Sequence, residues 1–281
     1  MRTPLITDKD LPVFSMEHCV TAIALEAGVL DNLASTLKNF LPSFIHNLIP
    51  GMKKFGVVAD APIVELNKDQ RKAVEKLKNV EFHYLRQLKF DATEGFTGNF
   101  LDYANNLTTQ MDYIREIALQ IKDYRVFLSG VLADGDARLS TKDLTTKHKN
   151  QATKRKQKES ELASFIKRGS YSTSVSIGSV FNRTSEVETA VKQMAALEEI
   201  RKTVNLKQIK EDINACVDLL NVIMERMNDS SITNLTPAVA KSLSTGAYEM
   251  AESVEYISIA YYTAMSAISA TNRLIEKINI F

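Results

Sequence analysis

Tryptophan is absent from the 281 residues, and cysteine, proline and glycine are scarce, at two, six and ten. So few prolines and glycines cannot supply the frequent tight turns of an all-β or alternating β/α chain, which leaves long helices as the natural alternative. The two cysteines, Cys19 and Cys216, stand far apart inside amphipathic stretches. Each reads as a small apolar side chain rather than half of a bridge or a metal ligand, as expected in a reducing compartment. The four histidines, His18, His46, His83 and His148, have no paired spacing and no neighbouring cysteine, so neither a metal nor a cofactor is expected. Asp134 and Asp136 lie in "ADGDARLSTKD", which lacks the remaining acidic and glycine positions of a calcium loop. A phosphate-cradling glycine loop and the nucleophile motif G-x-S-x-G are also missing, and no two carboxylates stand out as an acid/base couple. The expectation is a protein that is not an enzyme.

Charge of one sign is lacking as well. Thirty-five basic and 34 acidic residues leave a net +1, which excludes a surface built throughout to trap a polyanion. The start, "MRTPLITDKDLP", carries charges where a secretory signal needs an apolar run, so no export signal is expected. The Asn-x-Ser/Thr matches at Asn106, Asn182, Asn228 and Asn234 then carry no glycosylation meaning.

What the chain does have is apolar residues, 44% of the total, at alternating spacings of three and four. From Met16 the series Val20, Ile23, Ala27, Leu30, Ala34, Leu37, Leu41 predicts a helix capped by Ser15. Phe100, Ala104, Leu107, Met111, Ile114, Ala118 and Ile121, resuming at Leu128 after Arg125, predict a second from about 99 to 131. Tyr103, Tyr113, Ile117 and Tyr124 widen its stripe beyond a two-stranded seam and favour a bundle over an isolated coiled coil. Downstream, Ser185 and Glu188 suggest a capping box, and the series runs through an imperfect stretch at Arg201 to Met227. Thr236 and Pro237 then open a last helix ending near Ile278. The fold class expected is mainly α, an elongated multi-helix bundle with a long C-terminal antiparallel helical hairpin. Residues 1–139 form its N-terminal helical region, 140–184 a basic and Gly/Ser/Thr-rich connector, and 185–281 the hairpin. Residues 79–90 lean helical, and 169–185 suit a linker or a small hairpin with Val175 and Ile177 alternating.

Residues 142–158 hold seven Lys/Arg against Asp143 alone, so the rest of the chain is net −5. On a helix, Lys147, Lys154, Arg155 and Lys158 fall on one side, with Lys149 and Lys156 nearly opposite. Those six are the candidate contacts for a polyanion or an acidic partner, weighed against a solvated helix with no aromatic platform for bases. A second candidate is the uncharged "NFLPSFIHNLIPGM", residues 39–52, whose Phe44, Ile45, Leu48 and Ile49 either pack a short helix between Pro42 and Pro50 onto the bundle or lie on a membrane surface. The uncharged stretch 256–272 is too polar for a good membrane span and suits a core.

"SMEHCVTAIALEAGVLDNLASTLKNFLPSFIHNLIPGMKKF", Ser15 to Phe55, resembles the opening of virion structural proteins of large tailed bacteriophages, in which S-M-E, an Ala-rich helix and L-P-S-F follow one another. That resemblance implies a non-enzymatic internal or assembly component, made in the host cytoplasm and carried in the virion. Its partners would be other virion chains or further copies of itself, with non-specific nucleic-acid contact at most. Some such families are trimmed after Ser/Ala-x-Glu, which would place candidate sites at Ser15-Met16-Glu17 and Ala24-Leu25-Glu26. A membrane-active helical protein, inserting 39–52 or 256–272, is the alternative.

Overall fold

The structure, a computed structural model, describes residues 30–62, 64–66, 70–77, 79–91, 100–133, 141–164, 174–229 and 235–278. The helix start at Ser15, Cys19, His18, both trimming tripeptides and the Asp134/Asp136 turn lie outside them. Among the described residues the chain is mainly helical. The helices are α1 (Leu30–Ala59), α2 (Gln70–Leu77), α3 (Phe82–Leu85), α4 (Phe100–Leu132), α5 (Thr141–Ala163), α6 (Ile177–Val180), α7 (Thr184–Lys202), α8 (Leu206–Asn228) and α9 (Pro237–Ile278), with two short strands, β1 (Lys89–Asp91) and β2 (Ser174–Ser176). The multi-helix bundle expected from the apolar spacing is what forms.

Several boundaries differ from expectation, each for a local reason. Pro42 and Pro50 do not delimit a short helix; both lie inside the 30-residue α1. Leu37, Leu41, Phe44, Leu48 and Phe55 keep one buried stripe through it. Both prolines sit on the exposed side, where water can meet the carbonyl each leaves without its helical N–H. The capping box at Ser185 is not used: α7 starts at Thr184, Glu186 accepts the Asn182 N–H at 2.8 Å, and Glu188 pairs instead with Lys192. Thr236 does cap α9, accepting the Val239 N–H at 3.2 Å ahead of Pro237. Residues 79–90 are helical only at α3 before turning into β1. Val175 faces Phe90 across an antiparallel pair with β1, so the described strand at 174–176 finds its partner outside 169–185. Ile177 starts α6, and the Gly178 N–H donates to Arg86 O at 2.8 Å. A Cβ on Gly178 would stand 2.9 Å from that oxygen, so only glycine permits the approach.

Contacts divide the described chain into two compact units, the first from 30–59, 117–155 and 206–255, the second from 60–116, 156–205 and 256–278. These are not the consecutive blocks 1–139, 140–184 and 185–281. Helices α4, α5 and α9 each supply residues to both, and the expected connector contains a helix with a buried side.

In the first unit α1 packs on α8. There α5 and α9 run parallel, because Thr145 meets Ser242 and Arg155 meets Glu252, both pairs 97 residues apart. Likewise α4 and α8 run parallel: the Cys216 thiol faces Ile121 O and Arg226 donates to Leu132 O at 2.7 Å. Cys216 is a fully buried free cysteine, its thiol pushed up to about 12 by burial and then by Asp212.

In the second unit Val191 packs with Ile275 while Arg201 reaches the Tyr261 hydroxyl at 3.0 Å. Partner numbers fall on α9 as they rise on α7, so the hairpin is antiparallel. The apolar series from Ser185 to Met227 does not form one continuous helix: Thr203–Asn205 separate α7 from α8, with the Thr203 and Val204 N–H groups bonded three residues back to Ile200 O and Arg201 O.

Candidate functional site: a buried polar centre on the basic helix

Helix α5 has the least apolar sequence of the long helices, yet it buries a stripe. Leu144, His148, Gln151, Ala152, Arg155 and Leu162 are all shielded from solvent. Leu144, His148, Gln151, Arg155, Lys158 and Leu162 recur at spacings of four, three, four, three and four, the same rhythm as an apolar seam but written mostly in polar residues.

Arg155 is 2% exposed and therefore not a polyanion contact. Its Nη1 donates to Glu252 Oε2 at 3.0 Å, and its Nε lies 3.8 Å from Glu249 Oε2. Glu249 is itself buried, whereas Glu252 reaches the edge of the unit. A guanidinium spreads its charge over a planar fork, which suits two carboxylates presented one turn apart on α9. Beside this cluster, burial pushes the Tyr248 hydroxyl well up, with the Glu252 carboxylate adding to the effect.

His148 lies one turn before Gln151 and two turns before Arg155, edge-on to the Tyr124 ring at 5.7 Å. Burial lowers its pKa to about 4, opposed by Asp123 and assisted by Lys147, so the imidazole is neutral at ordinary pH. Tyr124 is fixed in turn, donating its hydroxyl proton to Leu243 O at 2.7 Å while its ring lies against Gly246. Burial holds that phenol far from ionisation.

The other basic candidates separate. Lys147 pairs with Asp123 at 2.8 Å, and Lys158 pairs with Glu161 at 2.7 Å, holding that carboxyl below its usual range. Lys154 is half-buried, and Lys149 and Lys156 remain on the exposed side, seven residues apart. No single stripe gathers all six. In α1, Phe44 and Leu48 are core, Ile45 is half-buried, and Ile49 is 42% exposed, so only the last could meet a membrane or a partner.

The second unit has its own polar anchor, which the sequence showed only as an interruption at Arg201. There Glu198 accepts the Leu66 N–H at 3.0 Å, Arg201 donates to Val64 O at 3.3 Å, and Asn272 donates to Glu65 O at 2.9 Å. Side chains from α7 and α9 thus hold three consecutive residues of an irregular segment by its backbone. Nearby, Tyr256 and Gln110 are hydrogen-bonded, and Gln110 also donates to Lys158 O.

Among the described residues no group of three or more His, Cys, Asp or Glu side chains could hold a metal, and no helix is long and apolar enough to cross a membrane. The space beside His148 and Glu249 is about 10 Å³, room for about one water molecule. Chemically, the centre can hold helices in register and keep an imidazole neutral; a substrate larger than water does not fit beside these groups. In comparisons with known proteins, no family model, no curated protein and no solved structure matches the chain.

Proposed function

We propose that the protein is a non-enzymatic structural or assembly component that acts through helix–helix contacts, in the virion of a large tailed bacteriophage. The observation that carries the non-enzymatic half is the volume beside its best acid/base candidates: His148, Glu249 and Tyr124 converge where about 10 Å³ is open, and Arg155 neutralises the carboxylates. Such groups serve helix register rather than turnover. The phage half rests on the resemblance at Ser15–Phe55. Its partners are then other virion chains or further copies of itself, and the chain is made in the host cytoplasm and carried in the particle. Mass spectrometry of purified particles from the source tests this directly: peptides of this chain are expected at stoichiometric abundance, and their absence overturns the assignment.

A second reading, a membrane-active protein, draws on Ile49 and Val57, which are exposed at 42% and 64% on α1. Liposome flotation separates the two readings. The variant to compare is Ile49→Asp, because Phe44→Asp would place a charge in the core and report unfolding instead. Flotation of the native protein that is lost in Ile49→Asp supports membrane action; a protein that stays with the aqueous fraction supports the assembly reading.

A further inference from the structure

Inside the first unit, the small cavity is bordered by Gln120 from α4, His148 and Gln151 from α5, and Glu249 and Ser253 from α9. Two polar atoms of these lining residues, His148 Nε2 and Gln120 Oε1, are shielded from solvent and meet no hydrogen-bond partner within the protein. His148 as a whole is 4% exposed, so its ring cannot turn Nε2 outward to bulk water without leaving the core. Polar atoms buried in this way are rare, because each gives up its hydration without compensation.

We propose that this cavity is a binding site for a single water molecule bridging His148 Nε2 and Gln120 Oε1. The volume, about 10 Å³, matches the space one water needs. The chemistry matches as well. The amide oxygen of Gln120 accepts one water proton, and the neutral imidazole either accepts the other at Nε2 or donates its own N–H to the water oxygen. An internal water with at least two such partners is held far longer than surface hydration. A metal ion is a poor occupant, since Glu249 is the only carboxylate on this wall and the Arg155 guanidinium already faces it. The bridge would tie α4 to α5 at a point where the side chains do not bond directly.

Oxygen-17 magnetic relaxation dispersion on the full chain counts long-lived internal waters. The native protein is expected to exceed the Gln120→Met variant by one such water, with matching circular dichroism showing that the half-buried Gln120 site tolerates the change. An equal count in the two folded proteins overturns the proposal. A crystal structure at a resolution that shows solvent provides the independent reading, whether or not the variant folds. Density about 3 Å from both His148 Nε2 and Gln120 Oε1 supports the site, whereas a direct His148–Gln120 hydrogen bond with no density between them overturns it.

Discussion

Removing the Arg155 guanidinium would leave two carboxylates, Glu249 and Glu252, one turn apart on α9 without the cation that faces them. Breaking a buried pair from one side costs more than the pair contributes, so Arg155→Ala is expected to lower the unfolding free energy by about 3–5 kcal/mol. Replacing Arg155 by Met together with Glu249 by Leu should recover much of that loss. Urea denaturation of the single and double variants measures both. Lys149→Ala and Lys156→Ala, on the exposed side of the same helix, should stay within about 0.5 kcal/mol of the native protein.

His148 gives a pH dependence with a definite sign. Its folded pKa is about 4 against 6.5 for the free side chain, so the unfolded chain takes up the proton first as pH falls. Stability from this group is complete above about pH 6.5 and declines through the window down to about pH 4, by roughly 3 kcal/mol at 1.36 kcal/mol per pKa unit. The groups that set the window are Asp123 on α4 and Lys147 on α5, with burial the largest cause. Chemical denaturation at several pH values should show this slope in the native protein and lose it in His148→Gln.

Within α9, Gly246 lies where the helix meets the Tyr124 ring. A Cβ there would stand 2.2 Å from Tyr124 Cε2 and 2.5 Å from Cδ2. The ring cannot simply swing aside, because its hydroxyl is bonded to Leu243 O one turn away. Gly246→Ala should therefore destabilise by about 1–3 kcal/mol, even though alanine raises helix propensity by about 1 kcal/mol. Thermal unfolding followed by circular dichroism distinguishes this from the stabilisation that propensity alone would give. The same logic of faces explains α1, which runs through two prolines because both point to solvent while its leucines and phenylalanines continue the buried stripe.

For the molecule as a whole, a net charge of +1 and a basic segment partly turned inward predict weak binding to nucleic acid. Arg155 is buried and Lys147 and Lys158 have acidic partners, while Lys149 and Lys156 stay on the exposed side of the helix. Gel shifts at varied salt should give a log–log slope no steeper than about −2, or no shift at all, since each phosphate neutralised contributes about −0.9. A steeper slope would mean that cations elsewhere join the contact. What the sequence by itself determined was the course of the most regularly spaced helices: α4 was legible from Phe100 to Leu128 because spacing at three and four is a local property, fixed by the pitch of one helix. It also marked the Thr236–Pro237 start of α9. Only the tertiary structure decided which polar side chains face inward. His148 and Arg155 occupy seam positions that composition alone reads as solvated, and their burial depends on Tyr124, Glu249 and Glu252, brought to them from 24 to 97 residues away in the chain. A periodic pattern says that a face exists, but the residue that answers a charge across the packing comes from another part of the chain, and no local spacing encodes it.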